Sequence, residues 1–540
     1  MKALRRLVWA IPWLVLPVEP AWAGGFLALL GVWGLAREGR PRFWGPFLLF
    51  ALLGSLGQLF SPSELFSLPR PAFLGTPPSG LPPNRILPFD LDGLHGWNPK
   101  DGAGGWAERV GDGFWRLPRR NPATGREQAE FLADRWYPLK AGQTYTESFY
   151  LRRDGTRASF QITFVTERGH HPVPTRAEPV APGVWRVWGS YTAQEGDRSV
   201  RAIDFLNGGG DWTYLEVGFP QLEVAPAPTP YRPGPVPQAA LGQRVLWWWG
   251  VALMGWLALQ GGGVLLGRSS PRWAAAGLLL GLLVHLGYGL WQLAHLPPGG
   301  RAVGLTPQPN FFGHGGVMAA GLAWLLGGSA LGGAGLLLGA ATVWASGSRA
   351  AFLSLLVLLL GWLWGLRRGI RLWALGGVGI LALLFWQDSQ LLGRLAALFG
   401  LDDSGWARLQ IWRVAWEAFR QHPLGGVGWG NFSLYYQLHL PAGAIVLDPG
   451  HAHDLFLQLA AEGGLPGLLA FASLLTGVGL GLWRRRAYGV LSLLAASLVL
   501  GLFDYTWFYA GVHYPLWVAV AWALTTPSKP NSSPPATMRG

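Results

Sequence analysis

Pro466-Gly-Leu-Leu-Ala-Phe-Ala-Ser-Leu-Leu-Thr-Gly-Val-Gly-Leu-Gly-Leu-Trp-Arg-Arg-Arg486 runs from 466 to 483 without a charged residue and then meets three arginines in a row. At about 1.5 Å per residue such a run is long enough to cross the hydrocarbon core of a bilayer. Lys and Arg in short loops are retained on the cytoplasmic side, so the arginines mark the inner end of this helix. Its other end follows His451-Ala-His-Asp-Leu-Phe-Leu-Gln-Leu-Ala-Ala-Glu-Gly-Gly-Leu-Pro-Gly467, which sets two histidines and an acid at the mouth of the span. Ionisable groups at that depth are costly and mark a functional site by default.

Working outward, the same pattern recurs at 5–17, 20–36, 43–60, 241–258, 272–295, 312–327, 329–345, 350–366, 371–387, 487–503 and 505–524. Together these predict roughly twelve spans. The basic clusters Lys2/Arg5/Arg6, Arg37/Arg40/Arg42, Arg268/Arg272, Arg367/Arg368/Arg371 and Arg484/Arg485/Arg486 then all fall on one face. Both termini lie inside on this count, while 61–240 and 388–465 lie outside with Asn310, Arg349 and His453. Arg244 and Arg301 break the pattern; a lone outer basic residue is either functional or solvated. The first apolar segment lacks a persuasive cleavage site and reads as a retained helix.

Composition agrees. Of 540 residues half are hydrophobic and only 13% charged, with 32 Trp and 79 Gly, which is the make-up of a polytopic membrane protein. The net charge of +13 reads as positive-inside loops plus groups for anionic lipid or phosphate. There is no P-loop, zinc-finger spacing or RNA-binding aromatic motif, so no nucleic-acid partner is expected. With no cysteine, disulfides, thiolate catalysis and Cys-ligated metals are excluded.

The organisation expected is N-terminal spans at 1–60, a Pro-rich linker at 61–83, a β-sandwich at 84–232, spans at 241–387, an outer loop at 388–465, spans at 466–524 and a disordered cytoplasmic tail at 525–540. The sandwich rests on alternating stretches such as Thr144-Tyr-Thr-Glu-Ser-Phe-Tyr-Leu151, Ala158-Ser-Phe-Gln-Ile-Thr-Phe-Val165 and Val184-Trp-Arg-Val-Trp-Gly-Ser-Tyr191. A second Pro-rich stretch, Ala225–Pro233, leads back to the membrane. The fold class is therefore a polytopic α-helical membrane protein carrying an inserted extracytoplasmic β-sandwich. In the outer loop, 404–420 is aromatic and amphipathic, an interfacial helix ended by Pro423 and the glycines of 425–430. Those glycines are no dinucleotide fingerprint, since no strand precedes them.

Three basic features share the outer face: Arg349 at a helix end, Arg408 at the start of the interfacial helix, and the His451/His453 pair. Arginine grips phosphate through a planar, permanently charged fork, and two could hold a pyrophosphate leaving group. Histidine can take a proton from a sugar hydroxyl near neutral pH. The bland alternatives are arginines that snorkel to headgroups and a histidine that is merely hydrogen-bonded.

The order and spacing of these motifs resemble the O-antigen ligase and polymerase superfamily of membrane glycosyltransferases over roughly 241–524. His453-Asp454, nine residues, and Gly464-Leu-Pro-Gly467 look like its histidine motif, with Asp454 where Asn is usual. Ser346-Gly-Ser-Arg349 with Leu353, and Arg408-x-x-x-Trp412 before Pro423, look like its arginine motifs, and Gly304–Asn310 is similar to its asparagine-bearing segment. The inserted domain resembles jelly-roll carbohydrate-binding modules through Trp212–Glu223 and Thr229-Pro-Tyr231. Trp97, Trp106, Trp115 and Trp136 are its candidate sugar-stacking rings, or else core aromatics of a spacer.

The resemblance implies a GT-C-like enzyme of the bacterial inner membrane with its site facing the periplasm. The donor implied is a polyprenyl-pyrophosphate-linked glycan, without nucleotide sugar, cofactor or metal. His453 is the expected general base, with inversion at the anomeric carbon, and Arg349 and Arg408 hold the pyrophosphate. His451 is the second choice for the base or else orients the acceptor, and Asn310, Asp454, Asp504 and His513 are expected to line the substrate with it. The acceptor hydroxyl belongs to a lipid core, a growing glycan or a protein, in that order of preference. A transporter of lipid-linked glycans is the competing class, disfavoured because the polar motifs gather at one face and no internal repeat is apparent. A sensor is the third class, favoured only if the sandwich is the active part.

Overall fold

Uncharged runs rich in Leu, Ala and Gly fold as helices here because a helix satisfies every backbone donor and acceptor within its own segment. The computed structural model describes residues 9–38, 43–61, 108–111, 114–118, 136–153, 158–210, 214–231, 240–297, 299–365, 403–439, 441, 446 and 449–525. The chain divides into two units, one of 1–61, 239–432 and 451–540 and one of 62–238 and 433–450.

The first unit is helical. Its elements are α1 (Ile11–Val18), α2 (Pro20–Glu38), α3 (Gly45–Leu59), α4 (Leu241–Arg268), α5 (Pro271–His295), α6 (Pro309–Ser346), α7 (Arg349–Gly365) and α8 (Asp403–Gln421), while α9 (Phe432–Leu438) belongs, but for Phe432, to the second unit. They are followed by α10 (Leu455–Arg484), α11 (Tyr488–Gly501), a 3-10 turn (Thr506–Phe508) and α12 (Ala510–Thr525). Among the described residues α4, α5, α6 and α10 are long and apolar enough to cross a membrane. This is a polytopic membrane protein.

α6 is two helices. Gly328 has φ 70° and ψ −160°, and beyond it the chain folds back. Small residues let the two arms touch: a Cβ at Gly339 would lie 2.6 Å from that of Ala320, and one at Gly335 3.0 Å from that of Ala323. The break divides the chain where the 312–327 and 329–345 spans predict. α4 departs from its expected end at 258 and continues to Arg268. Gly261 and Gly262 do not stop it, because they are contact points; α2 passes so close that a Cβ at Gly261 would overlap the Leu27 carbonyl. Likewise 455–465 is not loop but the first arm of α10, interrupted at Gly464 (φ 60°, ψ −158°).

The second unit contains two antiparallel sheets. The strands are β1 (Glu108–Gly111), β2 (Phe114–Pro118), β3 (Trp136–Pro138), β4 (Thr144–Arg153), β5 (Ala158–Thr166), β6 (Gly169–Val173), β7 (Arg176–Ala181), β8 (Val184–Thr192), β9 (Ser199–Gly210) and β10 (Tyr214–Val224). They are ordered β1-β2-β10-β4-β8-β7 and β3-β9-β5-β6. The sheets pack through Phe164 stacked on Tyr191 and through Gly189, where a Cβ would meet Val173 and Ile162. All three quoted stretches are strands. The outer face of the larger sheet is covered by the chain's own exit: Thr146 and Ser190 donate to the carbonyls of Ala225 and Pro226, Arg186 to that of Thr229, and Tyr231 packs on Tyr150 and Phe219. The first part of the second Pro-rich stretch is thus a strap, not a free linker.

Trp115 lies on β2 and Trp136 on β3. Trp97, Trp106, Trp212, the linker from 62 to 83, the 371–387 span, 388–402, the tail from 526 and the basic clusters at 2–6, 40–42 and 367–371 lie outside the described residues.

Candidate active site

The polar residues of the first unit converge on Asp504, in the break between α11 and the 3-10 turn, where it is 2% exposed. Behind it stands the loop preceding α6. Arg301 donates through Nε to the Ser346 carbonyl (2.8 Å) and through Nη2 to Asn310 Oδ1 (2.8 Å). Asn310 then donates its amide to Asp504 Oδ2 (2.8 Å). Gln292 pins the loop by accepting from the backbone of Val303 and Gly304. The other carboxylate oxygen accepts from the Tyr505 backbone (2.8 Å) and faces the histidines, 3.4 Å from His453 Nδ1 and 3.9 Å from His451 Nε2.

The two histidines differ. His453 has φ 50°, a left-handed backbone costing a non-glycine residue about 1–2 kcal/mol. Its own backbone N–H donates to His451 Nδ1 (3.2 Å). That bond leaves His451 with its lone pair occupied and its proton on Nε2, toward Asp504. Burial, reinforced by the charge of His453 and opposed by Asp504, pushes His451 down to about 4, so it is neutral at physiological pH. Burial alone would raise Asp504. The imidazoles of His453, His314 and His451 outweigh it and hold the carboxyl well below the usual carboxylate range. At 3.4 Å the His453 contact is longer than a well-formed hydrogen bond, and among the described residues Nδ1 makes none. Such contacts commonly tighten when substrate binds. The anion beside Nδ1 favours the tautomer that carries its proton there, which leaves the Nε2 lone pair able to accept a proton.

Asp454 is spent locally. Its carboxylate caps α10 by accepting from the Leu457 backbone (2.8 Å), a role Asn fills equally well. Asp504, not Asp454, is the acid that faces the histidines. The Gly464-x-x-Gly467 pair is equally structural: a Cβ at Gly464 would lie 2.7 Å from the Pro423 carbonyl, and one at Gly467 3.0 Å from that of Leu459. This lets the loop of Pro423–Asn431 lie on the kink. Val427 donates to the Ala461 carbonyl, Trp429 to Gln58 Oε1, and the buried Glu462 accepts the backbone N–H groups of Gly430, Asn431 and Phe432.

Arg349 opens α7, half-buried, next to Ser348, whose hydroxyl is 3.4 Å from His314 Nε2. Arg408, half-buried on α8, is near enough for its charge to help lower His451. His513 lies on α12 among Trp507, Phe508 and Trp517 and accepts from Trp517 Nε1 (3.1 Å). Among the described residues it shares no hydrogen bond with the Asp504 network.

Two members of the site escaped the sequence reading. Arg301 stood out only as a charge on the wrong face. His314, fully buried and bonded to Thr506 Oγ1 (2.7 Å), is four residues beyond Asn310 and so on the same helix face, which was a usable signal. The donor atoms of His451, His453 and Asp504 lie within 4.8 Å of one another, close enough to share a metal ion.

Fold and site together define a helical membrane protein in which a histidine pair faces a buried carboxylate, with Arg408 near enough for its charge to act on His451. Residues 334–472 match the family model for O-antigen ligase. The matched stretch holds Arg349, Arg408, His451 and His453, and it supports the O-antigen ligase superfamily and a glycan-transferring role. No curated protein matches the chain.

Proposed function

We propose that the protein transfers a glycan from a polyprenyl-pyrophosphate carrier to an acceptor hydroxyl at the outer face of the bacterial inner membrane. It acts as a ligase of the O-antigen type, with inversion and without a metal. The observation that carries this is the His453–Asp504 pair inside a chain whose arginine- and histidine-bearing stretch matches O-antigen ligase. His453 Nε2 takes the proton of the acceptor hydroxyl as that oxygen bonds to the anomeric carbon. The bond from that carbon to the pyrophosphate oxygen breaks, and polyprenyl pyrophosphate leaves. Asp504 stabilises the imidazolium so formed, and His451 holds the His453 backbone. Arg349 and Arg408 bind the pyrophosphate, with charge-assisted hydrogen bonds worth about 1.5–3 kcal/mol each.

The membrane arrangement proposed with this reading has about twelve spans, the site and the sandwich both outside, and the sandwich contacting glycan. Transfer by purified protein in detergent, with chelator present, tests it. Wild type should transfer, and His453→Ala and Arg349→Ala should lose transfer by two orders of magnitude or more. Chelator-sensitive transfer would point to a metal on the His451/His453/Asp504 cluster. Absence of covalent transfer while donor still binds would move the assignment to transport. The products identify the acceptor: single-end addition to lipid for a ligase, a ladder for a polymerase, a glycoprotein for protein glycosylation.

A further inference from the structure

Arg244, in the first turn of α4, is 6% exposed, and its Nε and Nη1 have no hydrogen-bond partner among the described residues. No carboxylate among the described residues pairs with it. An arginine that snorkels keeps its nitrogens in water or among headgroups, whereas this one is enclosed by protein. Removing a guanidinium from water costs several kcal/mol unless an anion and hydrogen bonds offset it.

The enclosure is rigid. Nη1 lies against the backbone of Gly428, in close contact with the position a Cβ would take, and Asn431 Nδ2 is 2.9 Å from that same position. Gly428 has φ 86°, so the backbone there accepts no ordinary side chain without strain. Asn431 Nδ2 donates to the Val427 carbonyl (2.9 Å), and Val427 in turn is tied to Ala461 (2.7 Å). Trp247 stacks on Trp429 with ring centroids 3.5 Å apart, locking the start of α4 to the glycine loop. Trp429 in turn contacts Tyr505, whose ring lies beside that of His451. A fixed cation beside a side-chain amide, in the first turn of a helix long enough to cross a membrane, is chemically suited to the phosphate of a lipid.

We propose that Arg244, with the Asn431 amide across the Gly428 backbone, is a binding site for the phosphate of a membrane lipid, distinct from the histidine–aspartate pair. The phosphate belongs either to a phospholipid headgroup or to the pyrophosphate of a lipid carrier. The site holds regardless of whether the protein transfers glycans, because its test reads binding.

The experiment uses the full chain in neutral detergent and phosphate-free buffer, titrated with inorganic pyrophosphate or with phosphatidylglycerol in mixed micelles, and follows the thermal unfolding midpoint. Wild type should be stabilised saturably by at least one of the two. Arg244→Met should unfold at a higher temperature than wild type without ligand, since an unpaired buried charge is gone, and should need at least tenfold more ligand for the same shift. Arg244→Lys should keep most of the response, and Arg420→Gln, an exposed control, all of it. A response to phosphatidylglycerol that depends on Arg244 identifies a headgroup; one confined to pyrophosphate identifies a carrier. Should Arg244→Met not fold, Arg244→Gln carries the tenfold criterion. An unchanged ligand response in these variants, or no response in wild type, overturns the proposal.

Discussion

Replacing Asp504 by Asn changes one atom type and tests the whole arrangement. Arg301 can only donate, so the group it meets on Asn310 must be the carbonyl oxygen, and Asn310 therefore presents its amide to residue 504. An Asn at 504 has one oxygen for two donors, the Asn310 amide and the Tyr505 backbone N–H; turned toward the Asn310 amide, it aims its NH2 at His453 Nδ1. His453 Nδ1 must then accept, its proton moves to Nε2, and the lone pair proposed as the base is lost. The lost charge acts in the same direction: at 3.4 Å a carboxylate and an imidazolium attract by about 5 kcal/mol at an effective dielectric of ~20, reduced by the partial exposure of His453. Both arguments give a fall in kcat of roughly two to four orders of magnitude, with KM for the lipid-linked donor little changed. Single-turnover transfer measured with saturating donor, alongside a thermal midpoint to show the variant is folded, reads it directly. A folded Asp504→Asn protein with wild-type turnover would refute the reasoning.

Glu462→Leu should lower stability by about 2–4 kcal/mol, because the backbone N–H groups of Gly430–Phe432 lose their buried acceptor; thermal unfolding in detergent checks this, and Glu462→Gln should lose less. Gly464→Ala, at φ 60° and against the Pro423 carbonyl, should cost on the order of 2 kcal/mol or more by the same assay, whereas alanine at open, helical Gly479 should be near neutral. His451 has a folded pKa of about 4 against the ordinary 6.5, so between these values the unfolded chain binds the extra proton. Its contribution is present in full above pH 6.5 and is lost as pH falls to about 4, on the order of 3 kcal/mol, and His451→Gln should flatten that part of the curve of unfolding midpoint against pH.

Much of the helical plan is legible because a span is a local property: length, absence of charge, and arginines at one end. The return at Gly328 shows as a boundary between two apolar runs. The glycines of α4 mislead for a physical reason, since a glycine that breaks a helix and one that admits a neighbouring helix look alike in sequence, and only Leu27 decides between them. His453, Arg349 and Arg408 stand out by motif, but what the histidine faces does not. Asn310 and Asp504 are separated by 194 positions, and no periodicity links them. Asp454, adjacent in sequence, drew the attention that belongs to Asp504, adjacent in space.

The position of Asp504 also bears on how such proteins can be recombined. The stretch matching O-antigen ligase, 334–472, carries the histidines and two arginines but stops short of Asp504 and begins after Arg301 and Asn310. Grafting that stretch alone into another scaffold would move the proposed base without the carboxylate it faces. A chimera would work only if the recipient supplied its own carboxylate, held by its own asparagine, in the same register. Exchange boundaries drawn around 301–504 keep the relay intact, and boundaries drawn around the recognisable motif cut it twice.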